Sequence, residues 1–168
     1  MVKSLKLKDI VLIGMMSAIL VTVQVALSFI PNIELVHLLI ILYTLVFGRK
    51  TIYIIYVFVI LEGFIYGVHL WWINYLYIWT ILYILVHFIK GKNSSILWAI
   101  VSGFFGLGFG ALCSIPYFFI GGPSTGIAYW ISGIPFDLIH GISNFILTLL
   151  LFRPLYHCLH WINQHFTT

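Results

Sequence analysis

A stripe of polar residues near the C-terminus is the part of the sequence best suited to bind a ligand. Asp137, His140, Gly141 and Asn144 are spaced i, i+3, i+4 and i+7, which places them on one face of a helix. A carboxylate, an imidazole and an amide together offer hydrogen-bond donors and acceptors. We expect this face to point into a helical bundle, where it forms either a satisfied internal network or one wall of a cavity.

Two further carboxylates extend this chemistry. Glu62 lies within an apolar segment, and Glu34 lies at the start of another. A charged side chain inside a membrane span costs several kcal/mol, so it indicates function by default. Neither apolar segment contains a lysine or arginine that could pair with its acid. The partners of these acids must therefore be histidine, asparagine, tyrosine or tryptophan side chains, water or a ligand. The structural alternative is a protonated carboxyl bonded to a neighbouring helix.

Aromatic and amide side chains cluster near the same ends of the predicted helices. Rings offer flat surfaces for stacking, and an amide can anchor a polar group. Together with the acids they predict a pocket for a small, flat, heteroaromatic ligand that is neutral or cationic. Trp71 and Trp72 are instead interpreted as part of an aromatic belt at the lipid interface. The pocket candidates of this kind are Asn74, Trp79, Tyr117 and Trp130.

Motifs for catalysis or metal binding are absent from the sequence. It contains no nucleophile–base pair, no HExxH and no phosphate-binding loop. His157, Cys158, His160 and His165 match no strong zinc spacing, and we interpret them as an amphipathic tail. We therefore expect a protein that is not an enzyme and has no cofactor and no metal site.

The elements that carry these residues are membrane helices. The chain has 168 residues, of which 62% are hydrophobic and only 7% are charged. Soluble domains contain about 25% charged residues, so a water-soluble fold is excluded. The net charge of +4 forms no basic stripe, which argues against nucleic-acid binding. We expect a single all-α integral membrane domain that spans residues 1–168.

The positions of the basic residues predict the topology. Cytoplasmic loops are enriched in lysine and arginine, and six transmembrane helices with both termini cytoplasmic place all eight basic residues on the inner face. These are Lys3, Lys6, Lys8, Arg49, Lys50, Lys90, Lys92 and Arg153. The predicted spans are 10–30, 33–47, 51–68, 73–89, 95–117 and 133–152, with an outer loop at 120–126. Ser132 and Pro135 are expected to begin the last helix.

Small residues mark two helices. Gly14, Ala18, Thr22 and Ala26 recur at every fourth position of the first span. Such a ladder lets helices approach closely in lipid, either within this chain's own bundle or against another membrane protein. Four glycines between residues 103 and 110 indicate close packing or local flexibility in the fifth span.

These features together resemble the substrate-binding S component of an energy-coupling factor (ECF) transporter. The resemblance covers nearly the whole chain and rests on its size and on six spans with cytoplasmic ends. It also rests on four stretches, which are residues 10–20 with the small-residue ladder, 32–48, 71–79 and 133–144.

The resemblance implies a function and a set of site residues. S components bind vitamins or related micronutrients near the outer face, in a pocket built from the first outer loop and spans four to six. They dock through small residues of span one onto a transmembrane T protein coupled to two cytoplasmic ATPases. The implied docking residues are Gly14, Ala18 and Thr22, and the implied pocket residues are Asn74, Trp79, Tyr117, Trp130, Asp137, His140 and Asn144. Glu34 and Glu62 join the substrate-binding candidates, and a structural role for Glu62 stays open.

We therefore expect a vitamin-uptake S component in the cell membrane of a prokaryote. The ligand is a heteroaromatic amine or alcohol of pyridoxine, pyrimidine or queuine type, and ATP is hydrolysed by the partner subunits. One alternative is a membrane scaffold or assembly protein of similar topology. A second alternative is an intramembrane enzyme that uses Glu62, Asp137 and His140, for which no metal or nucleophile arrangement is found.

Overall fold

The chain folds into α-helices joined by short turns. The computed structural model describes residues 5–91 and 94–167, with side chains up to residue 165, and this part of the chain contains no strand. Lys3 and Lys92, which were expected on the inner face, lie outside these residues. The helices are α1 (Leu7–Leu27), α2 (Val36–Phe47), α3 (Lys50–Tyr66), α4 (Leu70–Ile89), α5 (Ser95–Leu107) and α6 (Phe109–Thr167). The all-helical prediction is confirmed.

Three stretches of helix are long and apolar enough to cross a membrane. They are Leu7–Leu27, Leu70–Ile89 and Ile115–His165 within α6, while α2 and α5 are shorter apolar helices. Between them these stretches supply large apolar side chains that face outward, such as Ile10, Phe88 and Leu150. An apolar outer surface of this kind suits a lipid environment.

Helix α2 lies at the centre of the bundle. Ten of its twelve residues are buried, and it packs against α1, α3, α4, α5 and α6. Twelve helical residues extend only about 18 Å, which is less than the roughly 30 Å of a bilayer's hydrocarbon core. Because protein surrounds α2 on most of its surface, the length of this helix does not have to match the thickness of the hydrocarbon core.

Helix α6 contains a sharp break at Gly122. This residue has φ 76° and ψ −177°, a conformation that glycine adopts readily, and the helix resumes at Pro123. The predicted outer loop at 120–126 is therefore wrong, because every residue of that stretch except Gly122 is helical. Ser132 and Pro135 do not begin a helix; the Ser132 hydroxyl donates to the Tyr129 carbonyl within a helix that has already started.

The predicted fifth span corresponds to α5 together with the first part of α6. The Gly108 N–H donates to the Phe104 carbonyl, and the Gly108 carbonyl accepts from the Leu112 N–H, both at 3.1 Å. The second part of α6 then folds back antiparallel, as shown by the Tyr117 and Tyr129 rings, which stack at 4.0 Å on either side of Gly122.

The glycines near residue 105 allow this hairpin to close tightly. A Cβ atom on Gly106 would lie 3.0 Å from the Gly141 Cα, and one on Gly103 would lie 3.1 Å from the Phe145 Cβ. Both glycines are buried. Of the two interpretations of this glycine cluster, the structure shows close packing at these positions.

Polar contacts identify which helix ends lie together. The Lys50 ammonium is 2.6 Å from the Asp9 carboxylate, and the Asn163 amide donates to the Val46 carbonyl. The start of α1, the turn between α2 and α3 and the last part of α6 therefore meet at one end of the bundle, called here the basic end. At the other end, called here the open end, the Ser143 hydroxyl donates to the Asn32 carbonyl at 2.7 Å.

We expect Gly106→Ala to destabilise the protein by about 1–3 kcal/mol, because the added methyl group meets the backbone of Gly141. Thermal unfolding in detergent, followed by circular dichroism, measures the effect. Gly133→Ala is the matched control, because a Cβ atom at this position meets no other atom within 4 Å. Both substitutions replace glycine by alanine in a helix, so they gain the same helix propensity. Equal melting temperatures for the two variants would contradict the tight hairpin.

Candidate functional site

A cavity of about 340 Å³ lies at the open end of the bundle. It is bounded by the ends of α1 and α3, the starts of α2 and α4, and two positions of α6. This volume is in the range of small-molecule binding sites. The lining residues are Gln24, Leu27, Ser28, Ile30, Pro31, Asn32, Ile33, Glu34, Glu62, Tyr66, Trp71, Tyr75, Trp79, Phe109 and His140.

One wall of the cavity is a row of aromatic rings. Trp71, Tyr75 and Trp79 are spaced four residues apart on α4, so they share one helix face. Each contacts the next edge-to-face with ring centroids 5.2 Å apart, and Tyr66 continues the row at 6.0 Å from Trp71. Such edge-to-face contacts hold the rings in fixed orientations, which suits stacking of a flat ligand.

Trp71 and Trp72, interpreted from the sequence as part of an aromatic belt, also contact the protein itself. Trp71 lines the cavity, and the Trp72 indole N–H donates to the Val59 carbonyl of α3 at 2.8 Å. Trp72 also contacts Gly63, where its ring occupies the space that a Cβ atom would need. Both indoles are thus engaged with the protein, because α3 and α4 pack closely at this end.

Glu34 connects the start of α2 to α6. One carboxylate oxygen, Oε2, accepts hydrogen bonds from the backbone N–H groups of Val36 and His37, which stabilises the start of the helix. The other, Oε1, accepts from His37 Nδ1 and lies 3.4 Å from His140 Nε2.

His37 is a site residue that the sequence analysis missed. It lies in the first turn of α2 and is fully buried, with its ring 4.9 Å from that of His140 and 5.2 Å from that of Trp79. Its Nε2 has no hydrogen-bond partner among the described residues. The i, i+3 spacing from Glu34 was the signal available in the sequence, since these positions share a helix face.

Glu62 and Trp79 place further polar atoms beside the cavity. Glu62 Oε1 and Trp79 Nε1 are both buried and have no partner in the described part of the chain. Buried polar atoms in proteins are nearly always hydrogen-bonded. These two atoms are therefore an acceptor and a donor with which a ligand in the cavity would bond.

Three predicted pocket residues lie away from the cavity. The Asn74 side chain is buried and accepts a hydrogen bond from the Tyr77 hydroxyl at 2.9 Å. Tyr117 stacks on Tyr129 near the break in α6, and Trp130 is 43% exposed on the same part of the helix. None of these three residues is among those that line the cavity.

The polar stripe of α6 is buried, as its spacing predicts, but only His140 reaches the cavity. Asp137, His140, Gly141 and Asn144 all face the interior. The Asp137 Oδ1 accepts from the Gly110 N–H at 2.9 Å, so this carboxylate joins the two parts of α6. Neither Asp137 nor Asn144 is among the residues that line the cavity.

The small residues of α1 face outward. Gly14, Ala18, Thr22 and Ala26 are all exposed, and a Cβ atom on Gly14 would meet no atom within 4 Å. Packing inside this chain's own bundle was one alternative for this ladder. The structure shows instead that the ladder forms a shallow stripe on the outer surface of α1.

No known protein family, curated protein or solved structure matches this chain. The likeness to ECF S components therefore rests on the sequence features alone.

We expect Asp137→Ala to lower stability by about 1–3 kcal/mol, because the Gly110 N–H loses its acceptor inside the hairpin. Asp137→Asn is the conservative control, since its amide oxygen can still accept this hydrogen bond. Thermal unfolding in detergent measures both variants. A melting temperature for Asp137→Ala equal to that of the wild type would show that this bond does not stabilise the hairpin.

Proposed function

We propose that this chain is the substrate-binding S component of an ECF transporter. The observation that carries the proposal is the cavity at the open end, with an aromatic wall on α4 and polar groups from α2, α3 and α6. It lies at the end of the bundle opposite Lys50 and Arg49, which the positive-inside tendency places in the cytoplasm. A cavity at the outer face is what capture of an external nutrient requires.

The proposed topology has six membrane crossings with both termini cytoplasmic. The hairpin at Gly122 supplies crossings five and six, and the enclosed α2 supplies the second. The ion pair between Lys50 and Asp9 supports this arrangement, because it brings the start of α1 and the turn before α3 to the same side. The location that follows is the cell membrane of a prokaryote.

The cavity chemistry supports a small, flat ligand with polar groups. Tyr75 and Trp79 offer ring surfaces. Among the described residues, Trp79 Nε1 is a donor without a partner and Glu62 Oε1 is an acceptor without one. No lysine or arginine is among the described lining residues, so a neutral or cationic ligand fits better than an anion. A heteroaromatic amine or alcohol of pyridoxine, pyrimidine or queuine type has these properties.

We expect Glu62→Gln to weaken binding of a cationic or neutral amine ligand by about 10–100-fold, because a hydrogen bond to a charged group contributes about 1.5–3 kcal/mol. Quenching of tryptophan fluorescence measures the affinity, since Trp79 and Trp71 line the cavity. The ligands tested are pyridoxine, thiamine-type pyrimidines and queuine.

Trp130→Phe is the matched control, because it removes one indole at an exposed position away from the cavity. It should keep wild-type affinity, whereas Trp79→Phe should lose most of the quenching signal. Absence of saturable binding for every ligand class would argue for the scaffold alternative. Unchanged affinity in both Glu62→Gln and Trp79→Phe would remove the cavity as the binding site.

The outer surface of α1 supports docking to a transmembrane T protein. The exposed stripe of Gly14, Ala18 and Thr22 offers close backbone approach without any rearrangement of the chain's own packing. The chain carries no phosphate-binding loop, so two partner ATPases would supply the energy for uptake.

We expect Ala18→Leu to abolish co-purification with a co-expressed T protein and its two ATPases, because the larger side chain holds the helices apart. Ala128→Leu is the control, since Ala128 is exposed on α6. Ligand binding by the isolated chain should be unchanged in both variants. Retention of the full complex by Ala18→Leu would place the docking surface elsewhere.

A further inference from the structure

Two histidines and a carboxylate converge beside the cavity, and two of the three, Glu34 and His140, line it. Glu34, His37 and His140 each offer a ligand atom, and these atoms all lie within 4.8 Å of one another. They come from two distant parts of the sequence, since Glu34 and His37 flank the start of α2 and His140 lies on α6. We propose that these three residues form a binding site for one divalent transition-metal ion of the zinc or cobalt class.

The spacing of the donor atoms fits such an ion. Zinc binds imidazole nitrogen and carboxylate oxygen at about 2.0–2.2 Å, so two ligands of a tetrahedral ion lie about 3.3 Å apart. The Glu34 Oε1 and His140 Nε2 atoms are 3.4 Å apart. His37 Nδ1 is hydrogen-bonded to the same carboxylate oxygen, so a bound ion would replace this hydrogen bond and separate the two atoms.

The donor set selects the class of ion. Two imidazoles and one carboxylate suit zinc, cobalt, nickel or iron, whereas magnesium and calcium prefer oxygen ligands alone. Three protein ligands also leave at least one coordination position open, as in zinc sites that act on a ligand. Glu34 and His140 line the cavity, so this open position faces the space where a small molecule would bind.

The hydrogen bonds within the cluster do not pair all of its buried polar atoms. His37 is fully buried, yet its Nε2 has no partner among the described residues. A purely structural network would pair each of its buried polar atoms. The hydrogen bonds of the described residues therefore do not account for every polar atom of this histidine.

Charge in the cavity also favours a cation. Glu34 and Glu62 both line it, and the described lining includes no lysine or arginine. Arg49 and Lys50 follow α2, about 18 Å along the helix from Glu34. An ion bound at Glu34 would place positive charge in the cavity that both carboxylates line, and this argument does not depend on a transport function.

Metal titration of the purified full-length chain tests the site. The protein is prepared in detergent with an affinity tag that contains no histidine, stripped with a chelator, and titrated with Co²⁺ and then Zn²⁺. We expect one saturable equivalent, with Co²⁺ visible absorption bands typical of nitrogen and oxygen ligands that disappear when Zn²⁺ is added. Mg²⁺ should not compete.

Variants connect the binding to these residues. We expect Co²⁺ affinity to fall by about 100-fold or more in each of His37→Gln, His140→Gln and Glu34→Gln. Loss of a residue that only hydrogen-bonds to a metal ligand already costs about 10–100-fold in affinity. The matched control is the double variant His157→Gln and His160→Gln, which removes two exposed imidazoles of the C-terminal tail and should bind one equivalent as the wild type does.

Each outcome decides the proposal. Absence of a saturable equivalent in the wild-type chain overturns it, as does binding that survives in His140→Gln and disappears in the tail variant. If buried His37→Gln fails to elute as a folded protein, His140→Gln and Glu34→Gln carry the test. Metal binding without any vitamin binding would support this site while removing the proposed transport function.

Discussion

The enclosure of α2 by the other helices is the constraint on which the rest of the structure depends. Ten of its twelve residues are buried, so the helix presents apolar side chains in nearly every direction. A helix that is hydrophobic all round is stable only when it is surrounded. The positions of α1, α3, α4 and α6 follow from covering it, and the cavity forms where this cover ends above the start of α2.

The polar groups at the open end follow from the same constraint. The first N–H groups of α2 need acceptors, and Glu34 supplies one at the point where the helix begins inside the protein. Once that carboxylate is fixed, His37 lies beside it on the same helix and His140 reaches it from α6. Because the start of α2 is buried and needs an acceptor, the Glu34 carboxylate and the imidazoles of His37 and His140 lie together. Their oxygen and nitrogen atoms are the ones that a ligand or an ion would contact.

Much of the fold could be predicted from the sequence. The helices begin and end within a few residues of the predicted spans for α1 to α4, because apolar runs and the turn residues between them are local signals. Predictions near the end of the chain were less accurate. The stretch at 120–126 contains glycine, proline and serine, which usually indicate a loop, yet a single φ of 76° at Gly122 reverses the chain and leaves its neighbours helical.

The sequence by itself determined that this is an all-helical, strongly apolar chain, that its basic residues fall between apolar segments, and that Asp137, His140 and Asn144 share one buried face. These properties depend on composition and on helical periodicity. Only the tertiary structure decided that His140 reaches the cavity while Asp137 bonds to Gly110, and that Glu34, His37 and His140 meet. Those outcomes depend on contacts between residues that are 27 positions apart for Asp137 and Gly110 and 106 positions apart for Glu34 and His140, and on the rotation of each helix against its neighbours. Helical periodicity fixes which residues share a face, but packing against the other helices fixes what that face touches.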